Sequence, residues 1–331
     1  MFAGMNFIRR KLLQAFAASS LLPLVACQPN VAGLPKDKIL QKYPLKTYAV
    51  GRFLIDLPEI AENVSMSQRI DGTDFEWKSA SEDQFATLLS SRVRTLKGVD
   101  PKTQFLISDE PGAVPQSRII LFENEIDRDG LLQFEAYRYA AEAKGYFLLS
   151  GPVARSNVAV VSPSVNEVFK LIQPRIIDPQ MTERGACFDH AFVGGADPKL
   201  GEKAVIVARF NDIAMNFVTQ VIDTVDSGPS LLQRATKADE YPEVKILRKS
   251  KREVAGLDGA EFAYKTPPGS EITSHAFQWE YRGTLNSIVA PEMSIGLNIP
   301  NGTDAAKLSD EELLGLWDTV LGSIRLRPGA V

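Results

Sequence analysis

From residue 50 to residue 298 the chain consists of short runs in which apolar and polar residues alternate, broken at a few points by helix signals. That order commits it to antiparallel sheet covered by helices, because alternating strands bury one face and need something to bury it against. Val50–Leu57 sets Phe53, Ile55 and Leu57 against Arg52 and Asp56, and Pro58 closes the run. Further strands are expected at 75–78, 117–124, 131–140 and 146–150. Between the first two of these, Ser81-Glu-Asp-Gln84 matches a capping box and opens a helix with Phe85, Leu88, Leu89, Arg92, Val93 and Leu96 on one face. Ser164-Val-Asn-Glu167 is a second box, with Val165, Val168, Phe169 and Ile172 aligned behind it, and Pro174 ends that helix.

The same order begins again after Pro179. Strands are expected at 188–193, 204–210 and 216–224, then a short helix introduced by Pro229 and Ser230. Four more follow at 244–247, 260–264, 275–281 and 294–298, and Ser309-Asp-Glu-Glu312 caps a last helix bearing Leu313, Leu316, Trp317, Val320, Leu321 and Ile324. Each half ends in a capped helix that runs into an apolar tail containing an arginine, Arg175-Ile-Ile177 and Ile324-Arg-Leu326. The shared order implies structural duplication without residue similarity. The fold class is therefore α+β: two similar domains, 46–178 and 185–331, each an antiparallel sheet covered by helices on one face. A length of 331 residues with 44% hydrophobic content is enough for two cores.

The beginning of the chain carries an address. Arg9, Arg10 and Lys11 precede an apolar stretch from Leu12 to Ala26, about 22 Å long as a helix and short of the ~30 Å hydrocarbon core, which is the layout of an export signal. Leu24-Val25-Ala26-Cys27 resembles the bacterial lipobox, in which the cysteine thiol takes a diacylglycerol and the signal is cut just before it. Residues 1–26 are thus expected to be a lipoprotein signal peptide, Cys27 the lipidated residue, and 27–45, with Pro29, Gly33, Pro35 and Pro44, a tether reaching at most about 60 Å. Removing three cations takes the formal charge from −4 to −7. Gln28 is not the Asp that retains lipoproteins on the inner membrane, so resemblance to sorted lipoproteins implies the inner leaflet of the outer membrane, facing the periplasm. With Cys27 acylated, Cys187 has no partner in the chain and reads as a buried small apolar residue.

No residue pattern assembles a catalytic, metal or cofactor site. Two histidines, His190 and His275, are the only imidazole bases, and no G-x-S-x-G elbow is present. Asp189 adjoins His190, but neighbours on a strand point to opposite faces. His275 shares a strand face with Phe277, Trp279 and Tyr281 and reads as a packed histidine. Gly194-Gly195 and Gly256-Leu-Asp-Gly259 fit turns, not phosphate loops. Glu123, Glu125, Asp127 and Asp129 resemble a calcium loop only until Gly130-Leu-Leu breaks the spacing, which leaves an acidic hairpin turn. Arg248, Lys249, Lys251 and Arg252 form a basic cluster, read as a solvated turn or edge strand or as a surface for an acidic partner. An acidic chain without an arginine-rich segment is set apart from nucleic-acid binders. What remains is an exported protein whose work is binding.

Several segments together carry a family resemblance: Val50-Gly-Arg-Phe-Leu-Ile-Asp-Leu-Pro58, Gly185-Ala-Cys-Phe-Asp189 with Phe192-Val-Gly194, Ser230-Leu-Leu-Gln-Arg234, Gly256-Leu-Asp-Gly-Ala-Glu-Phe262, Phe277-Gln-Trp-Glu-Tyr281, and Leu308-Ser-Asp-Glu-Glu312 through Trp317-Asp318. They resemble the immunity proteins that accompany type VI secretion lipase effectors of the fourth family, with an N-terminal and a C-terminal family domain. The resemblance implies a periplasmic antitoxin, not an enzyme, that binds a phospholipase effector and keeps it from the cell's own membranes. It assigns no contact residue. The competing reading is a lipid-anchored envelope protein that binds a small ligand or an assembly partner. For the anchor, Cys27→Ser is expected to abolish fatty-acid labelling and block signal cleavage while Cys187→Ser leaves both intact, and labelling that persists without Cys27 would refute the assignment.

Overall fold

The computed structural model describes residues 31–98, 104–124, 130–176, 178–195, 201–236, 241, 243–267 and 273–331. The signal peptide and Cys27 lie outside them, as do Glu125, Asp127 and Asp129. Two halves follow one plan. The first has the hairpin β1 (Leu45–Val50) and β2 (Phe53–Pro58), then β3 (Glu62–Ile70) and β4 (Thr73–Ser79). After helix α2 (Glu82–Gly98) come β5 (Gln104–Pro111), β6 (Ser117–Asn124), β7 (Leu132–Ala140) and β8 (Gly145–Val153), then α3 (Val158–Leu171) and the short β9 (Ile172–Pro174).

The second half repeats this with β10 (Gly185–Phe188) and β11 (Ala191–Gly194), then β12 (Lys203–Phe210) and β13 (Ile213–Gln220). Helix α4 (Leu231–Ala235) leads to β14 (Lys245–Val254), β15 (Leu257–Lys265), β16 (His275–Tyr281) and β17 (Glu292–Ile299), followed by α5 (Asp310–Leu321) and β18 (Arg325–Leu326). The duplication read from the order of signals is present element by element. A helix α1 (Lys36–Lys42) precedes the first half.

The two expected sheets are one. Twelve antiparallel strands run in the order β14-β15-β16-β17-β13-β12-β3-β4-β8-β7-β6-β5, and the halves meet where β12 pairs with β3, Lys203 opposite Arg69 and Val205 opposite Ser67. Backbone hydrogen bonds, not a loose interface, therefore join the halves. Helices also cover both faces, not one. In β6, Ile119 and Leu121 pack toward Val165 and Phe169 of α3, whereas Ile120 and Phe122 pack toward Phe85 and Leu96 of α2. In β15, Leu257 and Ala263 join the core of Trp317 and Leu313 on α5, and Phe262 faces Leu231 and Ala235 of α4. The run Ile119-Ile-Leu-Phe122 has this signature, since a strand buried on both faces is continuously apolar.

The terminal strands are exchanged between halves. The first half's tail, β9, pairs with the second half's hairpin through β11, and the second half's tail, β18, pairs with the first half's hairpin through β2. The hairpins touch each other where Gly51 and Cys187 exchange backbone hydrogen bonds of 2.9 and 2.7 Å. Alternation alone predicts an unbroken strand at each hairpin. They turn at Gly51-Arg52, with Gly51 at φ 58°, and at Asp189-His190, with His190 at φ 54°, without the Asn-Gly or Asp-Gly pair that marks a two-residue turn. The turn carries Arg52 inward. It is 3% exposed and forms a bidentate pair with Glu202 at 2.8 and 2.6 Å, with its remaining donors on the carbonyls of Gly195 and Ala330. Arg327, fully buried, donates to the carbonyls of Met181, Glu183 and Gly185 and ties the C-terminal tail to the second hairpin.

Local signals fare unevenly. Ser81 and Gln84 form the full reciprocal box, as do Ser230 and Gln233. Ser309 caps Glu312 N–H, but the Glu312 carboxylate goes to Lys42 of α1. Ser164 caps nothing, because α3 starts six residues earlier and runs through Pro163, held by the face of Val161, Val165, Val168 and Phe169. The segment read as a tether is docked from Val31 onward, with Ile39 and Tyr43 buried and α1 packed on α5.

Two outcomes are expected. Residues 46–178 and 185–331 made separately deprive β2, β3, β11 and β12 of one of their two partner strands, so each should lack a cooperative unfolding transition, and circular dichroism of the isolated halves checks this. Arg52→Ala strands the Glu202 carboxylate in the interior and should cost about 3–5 kcal/mol in urea unfolding. A cost under about 1 kcal/mol would show that the pair is not structural.

Candidate functional site

The equivalent hairpins of the two halves differ at one place. β12 and β13 pair along their whole length, Lys203 with Gln220 through Phe210 with Ile213. Their counterparts β3 and β4 pair only where Gln68–Ile70 meet Thr73–Phe75. Beyond that point β3 continues along β12 to Glu62 and β4 along β8 to Ser79. Among the described residues no backbone hydrogen bond joins 62–67 to 76–79. The twelve-stranded sheet therefore opens in its middle, and two strand edges face the gap with part of their backbone N–H and C=O groups unused.

At the apex of the opening lies a cavity of about 330 Å³, lined by Met66, Ser67 and Gln68 of β3, Asp74, Phe75, Glu76 and Trp77 of β4, and Asp189 from the turn of the second hairpin. The His190 ring stacks on Trp77 with centroids 3.6 Å apart and planes 8° apart. Two polar atoms there are buried without a hydrogen-bond partner, Gln68 Oε1 and Trp77 Nε1. A buried acceptor and a buried donor left unused each cost free energy. Glu76 pairs with Lys78 at 2.9 Å and Arg69 with Asp74 at 2.5 Å along the rim.

Neither histidine assembles the machinery of a hydrolase. Asp189 and His190 do touch, Oδ1 to Nδ1 at 2.8 Å, contrary to the expectation from strand alternation, because both sit in a turn and not on a strand. No hydroxyl or thiol hydrogen-bonds to His190 among the described residues. At His275, Ser274 Oγ lies 3.1 Å from Nδ1 and Asp310 Oδ1 lies 3.1 Å from Nε2, the residue types of a catalytic triad. The ring is fully buried, however, and Ser274 Oγ donates to Ile299 O. A nucleophile with its proton committed and no path to substrate serves packing. The face shared with Phe277 and Trp279 is as expected.

Cys187 is buried, and burial pushes its thiol up in pKa. The basic cluster divides by strand alternation. Arg248 and Arg252 turn in to Asp318 at 2.5, 2.8 and 2.7 Å, Arg252 reaches Glu261 at 2.8 Å, and Trp317 Nε1 donates to the same carboxylate. The acidic partner of the two arginines is within the chain. Glu123 pairs with Arg155 at 2.5 Å.

Burial lowers the pKa of His275 from 6.5, against the pull of Asp310. Burial opposes charge at Asp310 and Asp318 too, yet Lys245, His275 and Lys265 hold the first carboxyl, and Arg248 and Arg252 the second, below the ordinary 3.8. Groups with depressed folded-state values bind more protons when unfolded, so their contribution is complete above the unfolded pKa and is lost as pH falls. Stability should decline from about pH 6.5 downward and again below about pH 4. His275→Gln should flatten the first decline in urea midpoints measured against pH and leave the second. An unchanged profile would remove His275 from the account.

Two family models match the chain, Tle cognate immunity protein 4 N-terminal domain over residues 46–148 and Tle cognate immunity protein 4 C-terminal domain over residues 181–329. The fold is similar to the apo immunity protein TplEi of the type VI secretion system from Pseudomonas aeruginosa, at 22% identity and a TM-score of 0.75, over 87% of this chain and 99% of that one. It is equally similar to a chain of the Tle4–Tli4 complex, at 22% identity and TM-score 0.75 over 86% and 98%. TplEi complexed with an "L" peptide matches at 22% identity and TM-score 0.69 over the same shares. No curated protein matches by sequence.

Proposed function

We propose that this chain, which belongs to the Tle cognate immunity protein 4 family, binds a phospholipase effector of the type VI secretion system and holds an extended segment of it between β3 and β4. The chain is an immunity protein of that family. The observation that carries the site is the difference between its two equivalent hairpins: one is closed over its full length, and the other is open, with two strand edges facing the gap.

A gap bounded by two strand edges recognises an extended backbone, since an added strand can take hydrogen bonds from both sides while alternate side chains enter the cavity. Met66, Phe75 and Trp77 supply apolar contact and Glu76 and Asp189 a polar rim. A folded body seated on the effector then excludes it from the bilayer it must reach. Solved relatives in complex with Tle4 and with a peptide support a protein-binding surface.

The role is binding without turnover, in keeping with the closed environment of His275 and the lone pairing of His190 with Asp189. The address is the periplasm, with Cys27 carrying the lipid at the inner leaflet of the outer membrane. The export layout of residues 1–26 and the lipobox resemblance support this, and the place suits an inhibitor of an enzyme that attacks phospholipid.

Filling the gap should abolish protection. Ser67 and Glu76 are exposed at its rim, so Ser67→Trp and Glu76→Trp should keep the wild-type melting midpoint and weaken inhibition of the cognate effector at least about tenfold, equivalent to about 1.4 kcal/mol, while Lys251→Ala has no effect. Wild-type inhibition by both tryptophan variants would move the binding site elsewhere.

A further inference from the structure

The span between the lipid and the folded body is far shorter than the composition of residues 27–45 suggests. Val31 N donates to Leu247 O, and Arg248 Nε donates to Val31 O at 3.1 Å, so the chain is already fixed to β14, an outer strand of the sheet. Three residues on, Leu34 N donates to Glu311 O at 2.7 Å in the first turn of α5. Gly33 and Gly315 cross so closely that a Cβ on Gly33 would lie 2.6 Å from Gly315 N, which makes this seat specific to glycine. α1 then buries Ile39 and Tyr43, and Lys42 pairs with Glu312. Cys27 stands four residues before Val31, so it lies at most about 14 Å away by chain length.

From these contacts we infer that the surface formed by β14, the start of α1 and the first turn of α5 lies against the membrane. The inference rests on Cys27 as the anchored residue. An anchor within about 14 Å of β14 leaves the body no freedom to present its opposite edge, β5, which is eleven strand spacings away, roughly 50 Å along the sheet. The face is mixed in charge, with Lys36, Lys38 and Lys251 exposed beside Asp37, Glu253 and Glu311 and with Lys245 paired to Asp310, so the short span to the anchor sets the orientation and the exposed lysines report it. The cleft between β3 and β4 starts six spacings from β14, about 30 Å along the sheet, so it opens to the periplasm while the body stays at the membrane.

The test uses the mature chain, residues 27–331, coupled through Cys27 to a maleimide lipid in vesicles of phosphatidylethanolamine and phosphatidylglycerol. Buried Cys187 does not compete for the maleimide. Lysine acetylation is then read by mass spectrometry against the uncoupled protein. Lys36, Lys38 and Lys251 should be modified at least about threefold more slowly on the vesicle, while Lys97, beside Asp109 of β5, is unchanged. Equal protection of Lys97, or free modification of Lys36 and Lys251 on the vesicle, would overturn the orientation. Protection of these lysines by the soluble effector and not by the vesicle would overturn it as well and give the surface to the effector. Chemical coupling keeps this result independent of acylation in cells, which fatty-acid labelling of Cys27 decides separately.

Discussion

The antiparallel ladder between β3 and β12 is the contact on which the remaining architecture depends. Each half supplies a six-stranded sheet whose first strand has one unsatisfied edge, and the two edges meet across an approximate two-fold relation between the halves. An exposed strand edge is a standing invitation to mispairing, and this chain satisfies both edges at once by duplication. The Arg52–Glu202 pair lies across the same junction, with the arginine in the first hairpin's turn and the carboxylate next to β12. β3 follows β12 but leaves β4 after three residue pairs, whereas β12 keeps both its partners along its length, so the cleft lies beside the junction on the first half's side alone.

Much of the fold could be read from residues, and the misses share a cause. β6, β7, β12 and β16 stand where alternation places them, and Ser81, Ser230 and Ser309 cap the helices expected of them. β3 escaped although Val64, Met66, Gln68 and Ile70 alternate with Ser65, Ser67 and Arg69, because a glutamine and a methionine occupy core-facing positions where β-branched residues would announce a strand. Ser164 imitated a cap since propensity near a proline says little against an apolar face that packs on a sheet. The hairpin turns at Gly51-Arg52 and Asp189-His190 have tertiary partners, so no local rule marked them.

The candidate site was almost invisible for a more general reason. A cleft made by the absence of pairing between two strands has no motif, since its defining groups belong to the backbone. Trp77 was assigned to a strand, but its stacking with His190 joins residues from opposite halves, and the unpartnered atoms of Gln68 and Trp77 emerge only once neighbours are in place. His275 was legible as a packed histidine from the apolar face it shares with Phe277 and Trp279, and its burial agrees.

The exchange of tail strands has a consequence for how the molecule comes into being. β2 receives its second partner from Arg325 and Leu326, and Arg52 is tied to the carbonyl of Ala330, so the first hairpin is completed by residues as many as 278 positions later in the chain. Contacts of such sequence separation slow folding, because the loop must close before they repay its entropy. The first hairpin therefore stays incomplete until the second half has been made and folded against it. Arg325, Leu326 and Arg327 hold both hairpins, the first through β2 and the second through the carbonyls of Met181, Glu183 and Gly185, so losing them would undo both halves together.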